Sequence, residues 1–316
     1  PTGGNVVSGT ANIGQTGSAM TVNQGSQKAI IDWSSFNIGK DAGVTFNQPN
    51  SSAIALNRVS AGDASQIHGQ LNANGQVWLI NPNGIVFGQG SEVDVGGLVA
   101  TTMNIANDDF LNGKNTFSRN GATGSITNLG ELTAKDGGYI ALLAPTVSND
   151  GVITAQLGSV VMAAGDQITL QAGANGLLNV AIDPATIQTL IENKQLIVAD
   201  GGQVIMTGKA ADVLAASVVA NSGTIQANTL QEKDGQILLI ADMQHGETQA
   251  AGTLQAKFID TSAATVSIDK DLKIDTAGGE WLIDPVDITI DADKASAIQT
   301  ALGTGDVTVS TADSAD

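Results

Sequence analysis

NLGELTAKDGGYIALLAP, residues 128–145, and NDGVITAQLGSVVMAAGD, residues 149–166, carry one pattern twice. Each opens on Asn, reaches Gly two positions later, alternates apolar and polar residues, turns at a second Gly region and runs apolar again. Gly130 and Gly151 stand 21 residues apart. NSGTIQA (221–227) with KDGQILLIAD (233–242), and AAGTLQA (250–256), repeat the same shapes. Self-similarity at such a spacing is the signature of a solenoid, in which one unit buries its apolar face only by stacking on the next. Three short strands rising about 3.3 Å per residue, with three turns, make one coil. The sequence therefore predicts an all-β right-handed parallel β-helix, the hand following from the preference for right-handed parallel crossovers. A sandwich or propeller does not readily explain in-phase units at this spacing.

Outside the repeat the pattern loosens. AIIDWSSFNIG (29–39) and SAIALNRVSAG (52–62) read as strands that close the N-terminal end, since an open solenoid end needs a cap. NDDFLNGKNTFSRNG (107–121) reads as an exposed excursion, and extra-helical β-hairpins are expected. In DPATIQTLIENKQLIVADGG (183–202), Ile187, Leu190 and Ile191 follow Pro184 at helical spacing, which predicts a short helix near 184–194 before a return to strand. Three regions follow: a capped core over 1–120, coils over 121–280, and the start of a further region over 281–316. QVWLINPNGIVFG (76–88) is a strand, a sharp corner and a strand. Pro82 presets φ at the second turn position, Asn83 tolerates the third and Gly84 relieves crowding at the fourth.

The 316 residues are 42% hydrophobic but only 3% aromatic, so the core is built from Val, Ile, Leu and Ala in thin layers. The net charge is −18, and Arg58 and Arg119 are the only arginines. Phosphate backbones and anionic membranes repel such a chain, which sets nucleic acid aside. No stretch approaches the roughly 18 apolar residues of a membrane-spanning helix. Without cysteine there is no disulfide, thiolate metal site or thiol nucleophile.

Candidates for catalysis are thin. His68 and His245 are the only histidines and stand in no HExxH, GxSxG or phosphate-loop pattern. Asp284, Asp287, Asp291 and Asp293 lack EF-hand spacing and read as a solvated acidic edge rather than a Ca²⁺ site. A β-helical polysaccharide hydrolase or lyase is the enzymatic alternative, but Tyr139, Trp33, Trp78 and Trp281 make a poor sugar groove because the tryptophans sit in apolar runs. Asn57, Asn74, Asn81 and Asn83 fall at predicted turns, where Asn makes Asx turns and, in a solenoid, can stack into hydrogen-bonded ladders.

The block FNQPNSSAIALNRVSAGDASQIHGQLNANGQVWLINPNGIVFGQGSEVDVGGLVATT (46–102) resembles the haemagglutination-activity, or TPS, domain of two-partner-secretion exoproteins, a family that includes filamentous haemagglutinin and high-molecular-weight adhesins. The resemblance rests on Asn47-Gln48-Pro49, Asn57-Arg58-Val59, Ile67 through Gly69, Asn74-Gly75 and Asn81-Pro82-Asn83-Gly84-Ile85. The opening PTGGNVVSGTANI resembles the mature N-terminus of that family, and 190–227 and 279–291 look like its following segments. It implies a non-enzymatic secretion and folding-initiation region without cofactor. The implied partner is the POTRA region of an outer-membrane transporter, which would receive the chain in the periplasm of a Gram-negative bacterium after signal removal. The residues expected to serve transporter recognition and the motif turn are Asn47, Pro49, Asn57, Arg58, Asn81, Pro82, Asn83 and Gly84. The full exoprotein is then expected at the cell surface, binding host or matrix glycans in adhesion or biofilm, with this region a monomer. Direct ligand binding by the region itself is a further alternative.

Overall fold

A computed structural model describes residues 1–60, 62–173 and 176–311. In the repeat, Ser125–Asn128, Glu131–Ala134 and Tyr139–Leu143 are successive strands, and the chain returns as Thr146–Asn149 beside the first. The pairing is parallel and in register: Asn128 faces Asn149, Glu131 faces Val152 and Tyr139 faces Ser159. Among the described residues such coils stack into sheets of twelve, eleven and eight strands, giving a parallel β-helix. Alternation turns Ile126, Leu132, Ile140 and Leu142 inward, beside Val147, Ile153, Val160 and Met162 of the next coil. Full burial of each such side chain contributes about 1.5–3 kcal/mol, so the thin aliphatic layers suffice without aromatic bulk.

The repeat's leading Asn has a structural purpose. Asn128, Asn149, Asn193 and Asn221 are stacked and buried at one corner. Each amide donates to the next: Asn128 Nδ2 to Asn149 Oδ1 at 2.8 Å, Asn149 Nδ2 to Asn193 Oδ1 at 2.7 Å, and Asn193 Nδ2 to Asn221 Oδ1 at 2.8 Å. The expected ladder thus exists, on four asparagines other than Asn57, Asn74, Asn81 and Asn83. Beside it, a Cβ on Gly151 would lie 2.3 Å from the Gly130 carbonyl oxygen, so stacked turns leave room only for glycine.

Three expectations are corrected. Lys28–Trp33 and Ile54–Val59 are already parallel rungs of the twelve-stranded sheet. The end is closed instead by Asn5–Ser8, antiparallel to Lys28–Trp33, and by the antiparallel pair Ala11–Thr16 and Ala19–Gln24. Over 184–194 there is no helix: Thr189–Asn193 is a strand between Thr146–Asn149 and Ser217–Asn221, with Ile191 in the core. Pairing on both edges outweighs the helical spacing of three apolar residues.

The third correction concerns 107–121. The short helix Asn107–Leu111 and strand Thr116–Ser118 carry Phe110 and Phe117, both fully buried. They cover the outer face of the twelve-stranded sheet, where Trp78 meets Phe110 at 5.4 Å and Phe117 at 5.5 Å between ring centroids. The hairpin Gln167–Ala172 with Leu178–Asp183 pairs with Thr116–Ser118 and completes this second core through Ile168 and Leu170. The excursion is therefore a lid over apolar surface, and only its outer side is polar.

Two outcomes follow. Asn149→Ala strands the donor of Asn128 inside the wall and should lower stability by about 1–3 kcal/mol, read from the denaturant midpoint, while Leu129→Ala at an exposed position of the adjacent turn should change it by no more than about 0.5 kcal/mol. Lid and hairpin are also joined by Arg119 Nε donating to Asp166 Oδ1 at 2.6 Å. Burial pushes the Asp166 carboxyl up, but hydrogen bonds from Arg119 and Thr186 outweigh this and hold it below the usual carboxylate range. A depressed acid stabilises the fold above its unfolded pKa and loses that contribution as pH falls through the folded value. Asp166→Asn should lower Tm at neutral pH, with the gap to the parent closing in strongly acidic buffer.

Candidate functional site at the NPNG corner

Asn81 ends the strand Gln76–Ile80 and is fully buried. Its amide donates to the Asp63 carbonyl and to Ser65 Oγ, both at 3.0 Å. Its side-chain oxygen accepts from Asn83 N at 3.0 Å, an Asx turn, and its carbonyl accepts from Gly84 N at 3.0 Å, closing the β-turn. Gly84 takes φ +117°, and a Cβ there would sit 2.9 Å from the Ser125 carbonyl oxygen. Asn83 is exposed and donates to the Gly62 carbonyl at 2.8 Å, while Pro82 is half-buried. The corner thus clamps the loop leaving the preceding coil.

Asn57 and Arg58 point to opposite sides of one strand. Asn57 is buried inside the solenoid, where its Oδ1 accepts from Trp33 Nε1 at 2.9 Å and its amide donates to the Ala55 carbonyl at 3.0 Å. Arg58 faces outward, with its side chain 15% exposed. It donates to Asn104 Oδ1 at 3.1 Å, the Ile105 carbonyl at 2.9 Å and Asp32 Oδ1 at 3.5 Å, holding the start of the lid to the sheet.

Asn47 and Pro49 are exposed, and the Asn47 side chain donates to Asn23 Oδ1 at 2.8 Å. The residue between them, Gln48, is the buried one. Its amide nitrogen lies 3.0–3.1 Å from Gln24 Oε1 and from the Ala53 and Gln76 carbonyls, and its Oε1 accepts from Gly75 N at 3.1 Å. Its backbone exchanges two bonds with the Asn74 side chain, at 2.7 and 2.8 Å. Gln48 was missed at the sequence level, although its place between two flagged residues, continuing the alternation of the strand Gly43–Asn47, signalled an inward side chain.

The eight flagged residues therefore form no single constellation. Asn81 to Gly84 make one corner, Asn57 and Arg58 brace core and lid, and Asn47 and Pro49 lie on the surface of another turn. Two of the other titratable candidates have structural places. His68 packs against Gly88, where a Cβ would lie 2.0 Å from Nδ1, and Asp291 accepts from Lys294 N at 2.9 Å as a helix cap. Trp33 and Trp281 are core residues and Trp78 lies under the lid, so none offers a face to a sugar.

A family model, the TPS secretion domain, matches residues 1–256. The chain belongs to the TPS secretion domain family. It is 36% identical over 252 residues to a heme/hemopexin-binding protein of Haemophilus influenzae, covering 77% of this chain and 27% of that protein. A second heme/hemopexin-binding protein of Haemophilus influenzae is 33% identical over 291 residues, covering 84% of this chain and 30% of that protein. The chain thus spans less than a third of either relative's length. The crystal structure of the HMW1 secretion domain from Haemophilus influenzae superposes with a TM-score of 0.81 at 30% identity, covering 89% of this chain and 76% of that one. The β-helix described above is accordingly the secretion domain of a two-partner-secreted protein.

Within this TPS domain the motif residues separate by what the folded state asks of them. Gln48→Ala removes a buried group with four partners and should cost about 2–3 kcal/mol of unfolding free energy. Pro49→Ala, with no side-chain hydrogen bond, should stay within about 1 kcal/mol of the parent in the same denaturation experiment.

Proposed function

We propose that this region is what its outer-membrane transporter recognises, through periplasmic POTRA domains, while the chain is still extended, and that it then folds first outside the cell and templates the coils that follow. The supporting observation is the order of the fold, joined to family membership. The cap strands between residues 5 and 24 come first in the chain, and each coil pairs with the one before it and the one after it. A repeat stack propagates from whichever coils exist, so in a chain that emerges N-terminus first it would grow from the cap, and folding at the exit would pull the remaining chain outward. Binding by addition of an extended segment to a sheet edge reads backbone and alternate side chains, which suits POTRA recognition before folding.

In this reading the region is not a catalyst, and the whole exoprotein acts at the surface or in the medium of a Gram-negative bacterium, in adhesion or biofilm. Because the two relatives are named for binding heme or hemopexin and are far longer, a heme-carrier ligand joins host and matrix glycans as a candidate for the whole exoprotein, bound outside this region.

The test is export into the medium of this chain, carrying a signal peptide, from cells with and without the partner transporter. Export is expected only with the transporter. Pro49→Ala, predicted above to fold normally, separates the roles: reduced export with unchanged stability makes Pro49 a recognition residue. Asn81→Ala should lose stability together with export. Equal export without the transporter would overturn the proposal.

A further inference from the structure

The two arginines of the chain, 61 residues apart in sequence and far fewer than its 31 acidic residues, line the same surface cleft. The cleft holds about 420 Å³ and lies between the NPNG corner and the root of the lid. Pro82 and Asn83 form one side, Asn104 and Thr123 belong to the other, and no Asp or Glu is among the lining residues. Each arginine is ion-paired outside the lining, Arg58 with Asp32 at 3.5 Å and Arg119 with Asp166 at 2.6 Å, so what the cleft offers is guanidinium N–H donors rather than net charge.

Both guanidiniums are held in place. Their side chains are only 15% and 11% exposed. Arg58 uses Nε on Asn104, one terminal nitrogen on Ile105 and the other on Asp32. Arg119 uses Nε on Asp166 and its terminal nitrogens on the Thr186 hydroxyl and the Ala122 carbonyl. A guanidinium has five N–H donors, so each arginine keeps one N–H on each terminal nitrogen without a partner among the described residues. Asp32 and Asp166 orient the forks and are not among the lining residues, although each offsets the charge of its arginine.

The geometry points to a carboxylate-binding site in this cleft, with Arg58 and Arg119 as the ligand-binding residues. Paired terminal N–H groups of a planar fork match two carboxylate oxygens, a match a lysine ammonium does not reproduce. The two pre-ordered forks lose little conformational freedom on binding. The carboxylate can belong to an acidic peptide or to an acidic sugar, which present the same group.

The test is NMR titration of the ¹⁵N-labelled chain with N-acetylglutamate amide for the peptide source and with glucuronate for the sugar source. Sodium chloride of matched ionic strength is the control. Saturable shifts confined to residues around Arg58, Asn83 and Arg119 are expected with at least one carboxylate, and which of them saturates at lower concentration identifies the source. Arg119→Lys keeps the charge but not the fork and should weaken binding by about tenfold or more. Ser60→Trp, on the exposed rim, should block binding while leaving both arginine networks and the spectrum of the rest of the fold intact. Absence of saturation with both ligands, an equal response to chloride, or full binding by folded Ser60→Trp would each overturn the site.

Discussion

In-register parallel stacking is the constraint on which the rest of this molecule depends. A strand of one coil meets the same position of the next, so whatever faces inward at a corner faces inward all along the stack. An apolar residue there packs on another, as Ile140 does with Val160. A polar residue there is tolerated only if its neighbours are polar in a complementary way, and Asn, with both donor and acceptor, can repeat itself indefinitely. The ladder from Asn128 to Asn221 is that solution.

Stacking fixes strands but not the chain between them. Successive members of the ladder are separated by 21, 44 and 28 residues, yet their spacing in the wall stays that of neighbouring strands. The longest interval contains the outer hairpin, which together with the lid buries a second apolar layer around Trp78. Additions to a solenoid wall thus build surface features, among them the arginine-lined cleft, without disturbing the core.

The family's motifs acquire a physical meaning from this architecture. Asn57, Gln48 and Asn81 are each buried with their hydrogen bonds satisfied by neighbouring coils or loops. They are residues that only the folded stack can pair, and in an extended chain every one of them is hydrated. Under the proposed export of an extended chain, the motif would stay open to water in transit and gain these bonds once the first coils exist.

Fold class was legible in the sequence because the solenoid repeats its own local pattern: Asn, Gly and alternating apolar residues reappear whenever the chain completes a coil. The NPNG corner was legible for the same reason, since turn chemistry is local to Asn81, Pro82, Asn83 and Gly84. What lay beyond the sequence was everything decided by a neighbour in space. Ile187, Leu190 and Ile191 have helical spacing, and only strands on both sides make Thr189–Asn193 a strand. The polar run from 107 to 121 hides Phe110 and Phe117, whose burial depends on the outward Trp78 of a distant coil. Gln48 outranks Asn47 and Pro49 structurally because its partners come from positions 24, 53, 75 and 76. Repetition writes itself into sequence, whereas contacts between non-repeating segments exist only once the coils have stacked.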